Sequence, residues 1–285
     1  MMIKKQPGVY IFTRVVVFVT LAVILIPVLW IVSVSFRTSE TSLQSIFFLI
    51  PIKATVMNYV EAVKFSIEKM NISFLVMFRN SFIVTGISIV IALALASTAA
   101  FSFSNFKFPT KEVLFTMIIA AFIIPPQVLL IPMFILLKYF GVLNTYWAVI
   151  FPYAAFAVPI ATLILRGFFE QIPIELKESA RIDGASNFMI FLRIVLPLSK
   201  AAIATTIIFL FLEIWNEFMY ALVFLVDDSI LTIPVALAKL AFGRYWIPLT
   251  IYTASIMITI IPVVILYVIF QKWFIKGITM GAIKG

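Results

Sequence analysis

The side chains best able to act on a solute cluster in the last third of the chain. Glu213, Asn216, Glu217 and Tyr220 recur at i, i+3, i+4 and i+7, so one face of a helix would carry two carboxylates, an amide and a phenol. Groups of this kind, with an aromatic ring such as Trp215 nearby and Gln127 beside the Pro125-Pro126 pair, bind hydroxyl-rich molecules by hydrogen bonding and stacking. The same stripe has two other readings. Its carboxylates could be proton sites of an ion-coupled carrier, or it could be an interhelical hydrogen-bond knot that only holds helices together. Composition excludes much of the remaining chemistry. The chain has no Cys and no His, which removes disulfides, Cys/His metal centres, thiol nucleophiles and a histidine general base. A Gly-x-Ser-x-Gly elbow is missing, which argues against an intramembrane hydrolase. No Gly-Lys pair occurs, so there is no phosphate-cradling loop, and ATP, if used, binds another chain. We expect neither a catalytic residue nor a metal site.

These residues must be positioned by membrane helices. Of 285 residues, 64% are hydrophobic and 12% charged, against roughly 25% charged in soluble domains. The formal charge of +9 fits loops that follow the positive-inside rule better than nucleic acid, which we do not expect as a partner. Six segments approach the roughly 20 apolar residues that a span needs: Tyr10–Val34, Phe82–Phe103, Val113–Leu137, Tyr146–Leu165, Ala202–Leu225 and Ile251–Phe270. The first is too long for a cleaved leader and no small-residue cleavage site closes it, so it is expected to be retained. With six spans both termini share one side. That side holds Lys4, Lys5, Arg14, Lys107, Lys111, Arg166, Lys177, Arg181, Arg193, Lys200, Lys272, Lys276 and Lys284, thirteen of the 21 Lys and Arg, and is expected to be cytoplasmic. Arg37, Lys69, Lys138 and Arg244 are among the other eight.

The spans differ in character. In the second, Ala92, Ala96 and Ala100 recur every fourth residue, a spacing that lets helix backbones approach closely. Pro125-Pro126 should kink or break the third, and Pro159 and Pro262 should act similarly in the fourth and sixth. In the long outward loop, Asn58 is expected to cap a helix from Tyr59 to Lys69, with Glu61 completing a capping box. Tyr59, Val63 and Ile67 would form its apolar face.

The inward loop 173–197 has an architecture of its own. Pro173 suits the first turn of a helix, and Glu175 and Glu178 lie near its positive end. Leu176 and Ala180 share a face with Ser179 and Asp183, and Gly184 supplies a left-handed stop. Ser186 or Asn187 can cap a second, apolar helix, Phe188 to Leu196, ending before Pro197. The result is a helix–turn–helix in a loop, an exposed knob followed by a greasy anchor.

This loop resembles the EAA loop of bacterial ABC importer permeases. Their pattern is Glu-Ala-Ala, a Gly four residues after the last Ala, then Ile-x-Leu-Pro. The chain matches it at Glu178, Ala180, Gly184, Ile194, Leu196 and Pro197, with Ser179 for the first Ala. Asn80-Ser81, Trp215-Asn-Glu-Phe218 and the ending from Gly277 to Gly285 are similar to the carbohydrate-uptake branch, the MalG-type subunits of maltose transporters. The resemblance implies an all-α polytopic membrane protein with six transmembrane helices and the type I (MetI-like) permease fold. It implies a single permease domain, 1–285, with core spans at about 78–275 and the coupling loop at 173–197. It further implies a sugar-importing subunit in a bacterial or archaeal plasma membrane. Its partners would be a second, homologous permease, an ABC ATPase dimer and an extracytoplasmic sugar-binding protein. ATP and Mg would be bound by the ATPases, with no cofactor in this chain. Glu178, Ser179, Ala180, Asp183, Gly184, Ala185 and Pro197 would contact the ATPase. A permease for amino acids or phosphate is the runner-up substrate class.

Overall fold

The computed structural model describes residues 7–38, 49–51, 53–70, 73–242 and 247–282, with side chains described for these except 7–11, 65–70 and 273–282. Lys4, Lys5, Arg244, Lys284 and the last three residues of the Gly277–Gly285 ending lie outside the described residues, as do the side chains of Ile67, Lys69, Lys276 and Gly277–Ala282. Every regular element among the described residues is helical: α1 Pro7–Ser35, α2 Met57–Met70, α3 Phe74–Asn105, α4 Lys111–Ile123, α5 Leu130–Tyr139, α6 Trp147–Phe169, α7 Ile174–Ile182, α8 Asn187–Leu198, α9 Lys200–Trp215, α10 Met219–Phe224, α11 Ile233–Phe242 and α12 Leu249–Ala282. Four helices are long and apolar enough to cross a membrane: α1, α3, α6 and α12. Two bent pairs raise that number to as many as six: α4 with the segment from Pro126 through α5, at 87°, and α8 with α9, at 77°.

The chain forms two compact units, one of residues 1–73 and 237–261, the other of 74–236 and 262–285. In the second unit, α3 and α6 make the most extensive helix pair. Ala92, Ala96 and Ala100 of α3 are fully buried, as are Ala148 and Ala161 of α6. Side chains no larger than a methyl let the two backbones come together, and the Ser88 hydroxyl donates to the Ile150 carbonyl across the gap at 3.5 Å. In the first unit α1 is apolar and exposed along Phe12–Leu29, as a lipid-facing helix must be.

One expectation about these elements is met and two are corrected. Pro152, Pro159 and Pro262 lie inside continuous helices, whereas the Pro125-Pro126 pair ends one. Each proline removes one hydrogen bond and disfavours the helical region for the residue before it, and two in succession apply this to Ile124 and Pro125 together. Accordingly Ile124 (ψ 118°) and Pro125 (ψ 125°) are extended before a 3-10 turn, Pro126–Leu129, leads into α5. In the outer loop, Asn58 lies inside α2 rather than capping it. Its amide is buried and donates to the Ser35 and Arg37 carbonyls at 2.8 and 2.7 Å, while the Thr55 hydroxyl accepts from Met57 N–H. The buried face of α2 therefore runs through Asn58 and Ala62, and Val63 is exposed. Tyr59 is half-buried, its hydroxyl 2.8 Å from that of Ser35. The fifth span, expected as one helix from Ala202 to Leu225, ends at Trp215 and restarts at Met219.

Candidate functional site

That break reorganises the acidic stripe, because the four residues no longer share one helix face. Glu213 is exposed in the last turn of α9. Asn216 is the residue after the last turn, its amide folded back to donate to the Leu212 carbonyl at 2.7 Å. Glu217 lies in the gap, half-buried, and there its carboxylate does what a helix backbone would have done. One oxygen accepts from the Tyr220 N–H at 2.9 Å; the other accepts from the Ala221 N–H at 3.4 Å and from the Tyr153 hydroxyl of α6. A carboxylate at the start of a helix meets unpaired N–H groups and the positive end of the peptide dipoles, so Glu217 caps α10.

Tyr220 joins this break to the other one. Its ring is buried edge-on against Phe156 (centroids 5.4 Å apart) and Phe224 (5.1 Å), and its hydroxyl donates to the Pro126 carbonyl at 2.6 Å. The broken third span thus has one of its carbonyls satisfied by the broken fifth. Between the breaks lies a cavity of about 970 Å³ lined by Phe122, Gln127, Tyr153, Phe156, Glu213, Asn216, Glu217 and Tyr220 among others. This is at the upper end of the usual small-molecule range of roughly 300–1,000 Å³. The structure therefore brings together all five residues expected to line a path: Gln127, Glu213, Asn216, Glu217 and Tyr220. Trp215 does not join them. Its ring is buried, stacked on Phe211 at 5.0 Å and edge-on to Phe82 at 4.9 Å.

Sequence reasoning missed Tyr153, although a tyrosine inside an apolar span needs a partner for its hydroxyl, and that was a usable signal. It also missed a cluster at the far end of α6. Arg166 donates to both oxygens of Glu112 on α4 (2.9 and 3.2 Å) and to Glu170 (2.7 Å), and its guanidinium lies 4.0 Å from the centre of the Phe115 ring. No residue of α4 is buried, so this clamp is its main polar tie to α6. Nothing in the local sequence announces a pair 54 positions apart.

The loop 173–197 folds as the helix–turn–helix expected. Helix α7 starts after Pro173 and stops at Gly184 (φ 82°). The N–H of Gly184 bonds the Arg181 carbonyl at 3.0 Å and that of Ala185 the Ala180 carbonyl at 2.9 Å, the double closure of a Schellman stop. Glu178, Ser179, Asp183, Gly184 and Pro197 are exposed, and Ala180 and Ala185 half-buried. Lys177 faces the other way: it is buried, and its ammonium donates to the last-turn carbonyl of Phe169 at 3.4 Å, joining α7 to the end of α6. Desolvation, with Arg181 nearby, holds its pKa below the ordinary 10.5. Ser186 caps α8, accepting from Met189 N–H at 3.2 Å. That helix does not end before Pro197 but runs through it to Leu198. Its middle, Phe191–Val195, widens to a π turn, which moves the chain away from the carbonyl that a proline ring would strike and leave unpaired.

The pair Asn80-Ser81 also has a definite place. The Asn80 amide donates to the Ser229 and Leu231 carbonyls at 2.9 and 3.0 Å and accepts from the Tyr146 hydroxyl at 2.6 Å. Ser81 accepts from Ile233 N–H at 2.9 Å. Together they fasten the segment before α11 to the start of α3.

Residues 88–280 match the model of a family described as "Binding-protein-dependent transport system inner membrane component". The trehalose/maltose transport system permease protein MalG of Thermococcus litoralis is 33% identical, over 92% of this chain and 92% of that protein. The melibiose/raffinose/stachyose import permease protein MelC of Bacillus subtilis is 35% identical, over 73% of this chain and 75% of that protein. Among solved structures, a chain of a bacterial ABC transporter that imports the acidic polysaccharide alginate superposes with a TM-score of 0.83 at 23% identity, over 96% of this chain and 99% of that one. That likeness shows a shared fold.

Proposed function

Because this chain belongs to the binding-protein-dependent transport system inner membrane components, multi-pass permeases of ABC importers, we propose that its cavity is one half of a sugar path and its loop 173–197 the contact with an ATPase. The observation that carries the reading is the cavity itself. Two broken spans meet there, and backbone freed from helix geometry deep in a membrane helix is tolerated where it lines a path or is met by protein groups. Gln127, Glu213, Asn216, Glu217 and Tyr220 offer the carboxylates, amides and phenol that hydroxyl-rich solutes need. Trehalose, maltose, melibiose and raffinose in the names of relatives support a sugar rather than an amino acid or phosphate.

The remaining parts follow from what the chain lacks and exposes. Without a phosphate-binding loop it draws on ATP and Mg held by an ATPase dimer. The exposed face of loop 173–197, with Glu178, Ser179, Ala180, Asp183, Gly184, Ala185 and Pro197, would receive that partner. A second, homologous permease would complete the path, and an extracytoplasmic binding protein would deliver the sugar. Both termini would lie in the cytoplasm of a bacterial or archaeal cell.

The test is assembly and turnover. The purified chain alone should hydrolyse no ATP. Extraction in mild detergent should bring down an ATPase, and that complex should respond to sugar-loaded binding protein. ATP turnover by the isolated chain, or a complex indifferent to every loaded binding protein, refutes the reading.

A further inference from the structure

The charge of the cavity is one-sided. Glu213 and Glu217 both line it, and no Lys or Arg is among the described residues that do. Neither carboxylate is paired with a cation among the described residues: the salt bridges of the second unit join Arg166 to Glu112 and Glu170, at the cytoplasmic-loop end of α6. Glu217 accepts from three donors, a Tyr hydroxyl and two backbone N–H groups, which fix its carboxylate at the wall. Glu213 is exposed and lines the cavity, and no donor among the described residues reaches it, so its acceptor capacity is directed at whatever passes.

An unopposed carboxylate on the wall of a cavity discriminates strongly. A like charge brought within about 6 Å at an effective dielectric near 20 is disfavoured by roughly a hundredfold. A neutral saccharide meets no such penalty. Its hydroxyls can donate to Glu213 and pair with Gln127 and Asn216, and its apolar ring faces can lie on Phe122 or Phe156. An ammonium group would be attracted. The fold itself does not set this preference, since the same fold serves import of an acidic polysaccharide; the lining does.

We propose that this chain's wall of the path selects saccharides by charge, passing uncharged and amino sugars and disfavouring uronates, sulfonates and sugar phosphates, with Glu213 as the discriminating residue. The proposal rests on the cavity being part of a sugar path. It is tested on the complete importer, with its partner permease, ATPases and binding protein, reconstituted in proteoliposomes. ATP-dependent uptake of maltotriose, a glucosamine trimer and a uronate trimer is measured for the native chain, Glu213→Gln and Glu213→Lys. The binding protein is the same throughout, so its own preferences cancel between variants, and immunoblots normalise for the amount inserted. The native importer should favour maltotriose and the glucosamine trimer over the uronate. Glu213→Gln, which removes one of two charges, should slow maltotriose uptake by losing an acceptor and raise the uronate-to-maltotriose ratio roughly tenfold or more. Glu213→Lys should raise that ratio further and depress the glucosamine trimer. A native importer that takes the uronate as fast as maltotriose, or a ratio unmoved by both variants, overturns the charge selection. Failure to take up any of the three, with ATPase activity indifferent to the loaded binding protein, overturns the sugar reading instead.

Discussion

Replacing Gly184 isolates the geometry of the loop turn from its surface. A Cβ built at this position meets no heavy atom within 4 Å, so a small side chain clashes with nothing in the chain. What remains is the backbone: φ is 82°, and a residue with a Cβ loses roughly 1–2 kcal/mol in that left-handed region. If the turn relaxes, the closing bonds from Gly184 N–H and Ala185 N–H, at 3.0 and 2.9 Å, go with it, and α7 and α8 change their angle. A penalty of that size lowers the population of correctly closed loops by about 5–30-fold where the loop is marginal. Asparagine tolerates the conformation, so Gly184→Asn should be mild and Gly184→Ala worse. Gly184→Asp should fall below Asn, because a negative charge then sits at the negative end of α7. The assay is uptake together with the fraction of ATPase retained after membrane extraction, at equal inserted amounts. Native activity in the alanine variant would show that the turn is not under geometric demand. An asparagine variant as damaged as alanine would show that bulk against a partner matters, and not φ.

Two further outcomes follow from single contacts. Glu217→Gln puts an amide N–H₂ among three donors, so at least one hydrogen bond to a charged acceptor, worth about 1.5–3 kcal/mol, is lost. Uptake and thermal stability of the detergent-purified complex should both fall, and Tyr153→Phe should reproduce part of the loss; unchanged stability in both variants would refute the capping role. At Lys177 the folded pKa lies below the unfolded one, so between those values the unfolded chain binds more protons and stability rises with pH. Loop protection against proteolysis should therefore increase on going alkaline through that window, and Lys177→Met should flatten the dependence; a native profile that falls with pH would refute the sign.

The features legible in the sequence are those whose information is local. Membrane spans follow from runs of apolar residues, and the stop at Gly184 and the cap at Ser186 follow from side chains that bond their own neighbours. The small residues Ala92, Ala96 and Ala100 announced a close helix contact through their spacing alone, though not that α6 would be the partner. The cavity-lining residues were legible as polar groups in apolar surroundings, which have to be met by protein or water.

What the tertiary structure alone decided is how those polar groups are satisfied. The 3.6-residue period placed Glu213, Asn216, Glu217 and Tyr220 on one continuous helix, but Glu217 lies in a break, where it caps α10 and meets Tyr153 of α6. The hydroxyl of Tyr220 likewise finds the carbonyl of Pro126, 94 positions away at the other break. Asn58 gives up its local cap for two carbonyls more than 20 positions distant, and Arg166 finds Glu112 across 54. In each case a donor or acceptor has local and remote partners of similar chemistry. Which one it takes depends on how far the packed helices have removed the local site from water, and spacing along the chain carries no measure of that.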